Sequence, residues 1–504
     1  MSWNNGYVSD IEYPAGFFPE QGPAWLNFTC LLNGYQPAET GEPFTYCELG
    51  CGTGMTANVL AASNPHGRFY ACDFMPAHIA EGRELAGGAG LDNLTLLENS
   101  FDDLARGAID LPMFDFVTMY GVYGWVNEEN RQLIVNFLAR YLKPGGVVYL
   151  NYNAMPGWAA VHPLQNLIRN VADASVGTRA QRCEQARRVV DQLHGLRAKY
   201  FTDNDSGEMR LRLDSVRLDD VGYVAHEYMN DGWQPLYHAD VARQLAGAGL
   251  DFIGSASHYR SFPGLYLAPE QQELLRQSPP AMRETVADYL SNTSFREDVY
   301  VRGAARLSPE QQAAWLGRMG LALTVPRGLV KHNIKLVTGE LFEKAGLIPP
   351  VLDALAQAPR TLAELMALPA FRQETAAMLY QVAALLIGSR QACACHVRQG
   401  DGGGDAAAGR LNRAMAAAPQ GHSANRVLAS PVLGNGVVTS TIAQFVHRVL
   451  CEMDGGAANA DAVAERVWDV MEAEGHGPRD AEGTEKIHRI LEKLVPLWRQ
   501  LRIL

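Results

Sequence analysis

Seven residues of this chain have the types and spacing to hold a charged small molecule: Glu48-Leu-Gly50-Cys51-Gly52-Thr-Gly54. An acid closes a short β-forming run, 44–48, and three glycines follow at alternate positions. Residues 55–62 then read as a helix. Strand, glycine turn and helix open a nucleotide-binding α/β unit, because glycines turn the chain tightly and bring a ligand against bare N–H groups. Two ligand charges compete for such a turn. Gly52-Thr-Gly54-Met-Thr-Ala57 satisfies the G-x-G-x-x-G/A pattern of a dinucleotide site. A pyrophosphate would be repelled by Glu48, whereas a cationic amino group would be attracted, and that contrast favours the cation.

More candidates follow at regular intervals. A second strand, 68–72, ends at Asp73-Phe74, roughly 20 residues after the glycines, where a carboxylate can accept from both ribose hydroxyls. A third, 94–97, is followed by Asn99-Ser-Phe101-Asp102-Asp103. There Phe101 suits an adenine ring and an acid, Asp102, suits its exocyclic amine, although either acid could instead cap the next helix. The fourth strand, 114–119, runs into Tyr120-Gly-Val-Tyr123-Gly-Trp125-Val-Asn127, and the fifth, 147–150, into Asn151-Tyr152-Asn153-Ala-Met-Pro156-Gly-Trp158. Carboxyl ends of parallel strands form the ligand crevice, so both aromatic turns belong at one edge.

An acid, one residue and then G-x-G-x-G is the first motif of class I methyltransferases, and Glu48 to Gly54 resembles it at every position. The resemblance implies S-adenosylmethionine as cofactor. It is to be held by Glu48, Gly50, Cys51, Gly52, Gly54, Asp73, Phe74, Phe101, Asp102 and Tyr120. It narrows at Gly121-Val-Tyr-Gly-Trp125-Val and Tyr152-Asn-Ala-Met-Pro-Gly-Trp158, which look like signatures of bacterial methyltransferases with a methyltransferase regulatory domain. That group includes protein-lysine methyltransferases acting on outer-membrane proteins. Ala225-His226-Glu227-Tyr228, Gln234-Pro-Leu-Tyr237, Ala248-Gly249-Leu250 and Ser294-Phe295-Arg296-Glu297-Asp298 resemble the regulatory domain itself. Serine often stands in the family where Gly124 stands here, and histidine where Tyr120 stands. A lysine side chain of a protein is therefore the implied acceptor, with a small-molecule O- or N-acceptor as alternative.

Methyl transfer needs in-line alignment, and aromatic faces stabilise a cationic sulfur or ammonium. Tyr123, Trp125, Tyr152 and Asn153 are the catalytic candidates on that reasoning, each with core packing as its competing role. His226 and Glu227 read as a structural hydrogen-bonding pair rather than a base. A non-catalytic protein that retains a cofactor fold is the alternative from another class.

At 504 residues the chain exceeds one core, so several domains are expected. The expected fold is α/β: an N-terminal arm or lid (1–43), a doubly wound Rossmann-like sheet (44–158), a helical insertion with a mixed α+β regulatory domain (159–325), and a mainly helical, winged-helix-like region (326–504). A net charge of −12 argues against nucleic acid as partner. No apolar run reaches membrane-spanning length, and the first ten residues lack the basic and apolar segments of a signal peptide. With eight scattered cysteines read as reduced thiols, the expected location is the cytoplasm. Cys393-Ala-Cys395-His396 lacks a second ligand pair, so no metal is expected. Residues 399–406 read as a linker, and two non-catalytic regions make a homodimer plausible.

Overall fold

A computed structural model describes residues 16–219, 221–331, 334–336, 339–341, 346–397, 403–417, 426–453, 459–476 and 478–504. Its centre is a seven-stranded sheet: β1 (Thr45–Leu49), β2 (Arg68–Asp73), β3 (Leu94–Glu98), β4 (Phe114–Met119), β5 (Leu142–Asn153), β6 (Leu250–Ser255) and β7 (Phe295–Arg302), in the order β3-β2-β1-β4-β5-β7-β6. Strands β1 to β5 run parallel, and β7 and β6 add antiparallel at the far edge. The sheet reverses its build order between β1 and β4, which opens the crevice at their carboxyl ends.

Helices α1 (Pro23–Leu32), α2 (Met55–Ser63), α3 (Pro76–Ala89), α4 (Phe101–Arg106) and α5 (Glu128–Tyr141) belong to this half. Burial on both faces explains the near-continuous apolar strands: all five residues of β1 are buried, and Tyr46, Phe69 and Phe116 are fully enclosed. Asn127 caps α5, its side chain accepting from the Asn130 N–H. As the proline and glycines there suggest, α5 ends at Tyr141, just before the stretch Lys143-Pro144-Gly145-Gly146. β5 begins at Leu142 and passes through it, with a register shift against β4 and Gly145 at φ +77°.

Between β5 and β6 the chain leaves the sheet. It forms α6 (His162–Ala174), α7 (Arg179–Gly195), α8 (Lys199–Asp203), α9 (Gly207–Leu218) and α10 (Val221–Tyr228), which share a core of Trp158, Leu164, Ile168, Val190, Leu213 and Tyr228. The middle region thus contributes β6 and β7 to the central sheet and α6 to α10 to a cap beside the crevice.

The remaining chain holds β8 (Met319–Leu323), the hairpin β9 (Ile334–Leu336) and β10 (Gly339–Leu341), β11 (Arg360–Thr361), β12 (Ala392–His396), and the hairpin β13 (Val427–Ser430) and β14 (Asn435–Val438) among helices. The capping box read at Thr361 and Glu364 is formed. Cys393 and Cys395 lie buried in β12. Residues 399–402 of the expected linker lie outside the described residues, as do Tyr7 and Tyr13 of the arm, whereas Gly403 already begins a helix that runs to Ala417. Ala408, Leu411 and Met415 of that helix pack with Val427 and Ala429 against Met55, Val59 and Ala89 of α2 and α3. The C-terminal region is thereby seated on the helix that follows the glycine turn.

Candidate active site

A cavity of about 580 Å³ opens along the carboxyl ends of β1, β2, β4 and β5. Its first end is built on the glycine turn. Gly50, Gly52 and Gly54 have φ of +66°, +52° and +70°, which side chains rarely adopt. A Cβ at Gly50 would stand 2.5 Å from Val122, so the turn also passes too close to the β4 loop for a larger residue. Asp73 locks the turn from β2: its Oδ2 accepts the Gly52 N–H at 3.0 Å and its Oδ1 the Met75 N–H at 2.9 Å. Glu48 is only 3% exposed. Burial pushes its carboxyl up to about 8, against the pull of the Gln21 amide and the Ala57 peptide group. Gln21 Nε2 donates to Glu48 Oε1 at 3.2 Å, and Glu48 Oε2 has no hydrogen-bond partner among the described residues. Glu48 lines the cavity, and a buried carboxylate oxygen without a donor suits a cationic amine, such as the methionine part of S-adenosylmethionine carries.

Glu48, Gly50, Cys51, Gly52, Asp73, Phe74, Phe101 and Tyr120 all line the cavity. Gly54 and Asp102 do not. Gly54 is the left-handed N-cap of α2 and packs towards Leu96 and Asn58, a backbone role. Asp102 points outwards and pairs with Arg106 one turn along α4. It is Asp103 that lines the cavity, while its carboxylate also closes the capping box with Ser100. Phe18 was missed: its ring stacks on Tyr120 with centroids 3.5 Å apart.

The second end lies under the helical cap. Trp125 Nε1 donates to Glu227 Oε2 at 3.2 Å, and Asn153 Nδ2 donates to Glu227 Oε1 at 3.0 Å. Trp125, Asn153, His226 and Glu227 face the cavity together with Arg212, Tyr223 and Phe295. Burial pushes the Glu227 carboxyl above its usual range, while the Arg212 guanidinium and the two hydrogen bonds hold it down. Arg212 itself lies over the Trp158 ring at 4.3 Å and donates to Glu208 at 2.8 Å.

The other two catalytic candidates are elsewhere. Tyr123 is fully buried and donates to Gln244 at 2.9 Å; Tyr152 is fully buried and donates to Asp298 at 2.7 Å. Neither lines the cavity. Side chains alternate across a strand, so once Asn153 faces the crevice its neighbour Tyr152 faces the core. That alternation was available in the sequence. The pairing of Trp125 with Glu227, 102 residues on, was not.

Known proteins give the same reading by a separate route. A family described as "Methyltransferase domain" matches residues 47–148, and one described as "Predicted methyltransferase regulatory domain" matches residues 220–302. The Synechocystis sp. protein sll1526 is 34% identical over 480 residues, covering 94% of this chain and 92% of that protein. The chain belongs to the S-adenosylmethionine-dependent methyltransferases that carry a regulatory domain. The Rickettsia prowazekii protein RP028 is 26% identical over 231 residues, 44% of this methyltransferase and 86% of its own length. In fold, the methyltransferase is similar to PKMT2 from Rickettsia typhi in complex with AdoHcy, with a TM-score of 0.70 at 17% identity over 97% of this chain and 99% of that one. Among the described residues, no helix is long and apolar enough to cross a membrane.

Proposed function

We propose that this methyltransferase modifies the side-chain amine of a lysine in a protein substrate. The observation that carries the reading is Glu227: a buried carboxylate, fixed by Trp125 and Asn153, in the wall of the cavity beyond the cofactor motif. An acid there attracts a cationic acceptor and can take its proton. The sequence motifs shared with protein-lysine methyltransferases support the same acceptor, as does a fold like that of PKMT2 along nearly the whole chain.

Free lysine has a pKa near ~10.4, so the incoming side chain arrives as an ammonium and is no nucleophile. Desolvation against Trp125, Tyr223 and Phe295, with the Arg212 cation nearby, disfavours the charged form. In this reading the proton passes from the amine to a Glu227 oxygen, leaving a neutral lone pair aimed along the cavity. When bound, S-adenosylmethionine supplies an electrophilic methyl on a sulfonium. Of the cofactor-side residues, Asp73 would hold the ribose, Glu48 the methionine amine and Phe101 the adenine. We also place the enzyme in the cytoplasm, in keeping with eight cysteines of which none forms a disulfide among the described residues.

A general-base carboxylate would equally serve a hydroxyl, and a 114-residue stretch is 28% identical to "O-methyltransferase 3" of Dictyostelium discoideum. A small-molecule O-methyltransferase is therefore the second reading. Incubation with labelled donor and a lysine-containing protein, followed by mass spectrometry, separates the two. Mass gain confined to lysine supports the first, and label appearing only in a small-molecule hydroxyl overturns it.

A further inference from the structure

The short turn before α1 reaches deep beneath the cofactor motif. Residues 16–18 run along the start of α2, where the Phe18 N–H donates to Thr56 Oγ1 at 3.2 Å and Phe18 stacks on Tyr120. A single 3-10 turn, Pro19–Gln21, then drops Gln21 into the core. Gln21 is completely buried, and its amide is the side-chain donor to Glu48. Its carbonyl accepts from the Tyr46 hydroxyl at 3.4 Å, and the same hydroxyl meets Thr118 at 2.6 Å. Gln21 does not line the cavity, so it reaches a ligand only through Glu48.

That turn is held from the other end of the chain. Asn435, at the start of β14, donates from Nδ2 to the Pro19 carbonyl at 2.9 Å. The fit is close: a Cβ on Gly22 would stand 2.5 Å from the Asn435 amide. Asn435 is in turn fixed to α2, its carbonyl accepting from Ser63 Oγ at 3.0 Å, and the neighbouring Gly434 carbonyl accepts from Asn64 at 2.8 Å. Arg390 approaches Glu20 of the same turn at 3.4 Å.

We propose that Gln21 is a positioning residue for the methionine-amine end of the cofactor site, and that the C-terminal region completes that site by pinning the Pro19–Gln21 turn through Asn435. With Oε1 engaged by Gln21, the Glu48 carboxylate is turned so that Oε2, which has no other partner among the described residues, is the oxygen presented to the ligand's ammonium. A carboxylate free to rotate would lose that aim. The C-terminal region is then part of the donor site without touching the donor, 416 residues away in sequence from the turn it holds.

Calorimetric titration with two ligands tests this. S-adenosylmethionine carries the amino acid end, and methylthioadenosine keeps the nucleoside but lacks it. In Gln21→Met, which keeps the volume and removes the donor, affinity for S-adenosylmethionine falls about ten- to hundredfold, the size expected for a hydrogen bond to a charged group, while methylthioadenosine binds unchanged. Asn435→Ala, remote from the cavity, gives the same selective loss at about three- to tenfold. It carries the test alone should Gln21→Met fail to fold. Unchanged affinity for S-adenosylmethionine, or equal losses for both ligands, overturns the proposal.

Discussion

Two groups of buried acids flank strand β5, and they differ in the cations that the fold sets beside them. On the β7 side, Arg296 donates to Asp298 at 2.9 Å, Asp288 at 2.6 Å and Glu284 at 2.7 Å. Asp298 also accepts from Tyr152 and stands 3.1 Å from His238 Nδ1. Burial pushes Asp298 up, but Arg296 and these donors outweigh it and hold the carboxyl well below the usual range. On the crevice side both carboxyls are pushed up: burial outweighs the Gln21 amide at Glu48, and at Glu227 it outweighs the Arg212 guanidinium together with the Asn153 and Trp125 donors. Acids that the fold neutralises internally fasten the sheet edge. Acids that it leaves short of a cation are where a cationic ligand contributes most.

The largest effect should come from breaking the satisfied group. Arg296→Met leaves Asp298 buried without its guanidinium and Asp288 with Arg260 alone, and costs about 3–5 kcal/mol of unfolding free energy, read by urea denaturation. A loss below about 1 kcal/mol would erase the contrast. Next, Glu227→Gln keeps the shape but offers one acceptor oxygen to the two donors, Trp125 and Asn153, and can no longer take a proton. Turnover should fall about hundredfold or more, equivalent to ~2.7 kcal/mol of barrier, with the melting temperature nearly unchanged. A large loss of stability with normal turnover would move Glu227 into the structural group.

Glu48 and Asp298 also respond to pH with opposite sign. A carboxyl raised on folding stabilises fully below its unfolded value, and that contribution is lost as pH rises through the folded value. For Glu48, raised from 4.5 to about 8, and Glu20, raised from 4.5 to about 7 by burial and by Glu297, unliganded stability therefore declines between those limits. Asp298 is depressed, so its contribution is present above 3.8 and lost only on further acidification. Thermal melts across this range should show the decline, and Glu48→Gln should flatten it. The smallest effect is expected from Phe18→Ala, which removes the stack on Tyr120 and weakens S-adenosylmethionine binding by about three- to tenfold.

What could be read from the sequence was local. The Glu48–Gly54 turn, Asp73 and Phe101 each follow a strand within a few residues, so their place at the crevice comes from chain order alone. The far wall of the cavity is assembled from α9, α10 and the start of β7, and nothing in the spacing of Arg212, Glu227 and Phe295 announces that they meet Trp125. Strands β6 and β7 were legible as part of a mixed region but not as edges of the central sheet, because antiparallel addition at an edge leaves no crossover pattern. Asp102 and Asp103 differ only in which way the first turn of α4 aims them, and Tyr123 and Tyr152 read as cage residues because aromatic type says nothing of direction.

The excursion of the chain between β5 and β6 has an evolutionary consequence. Both its ends are stitched to one sheet edge, and its helices form their own core around Trp158. Such a segment can drift, lengthen or be exchanged while the donor turn on β1 and β2 stays intact. On the proposed reading, changes in this interval would alter Arg212, Tyr223 and Glu227 in the cavity wall while the glycine turn is inherited unaltered.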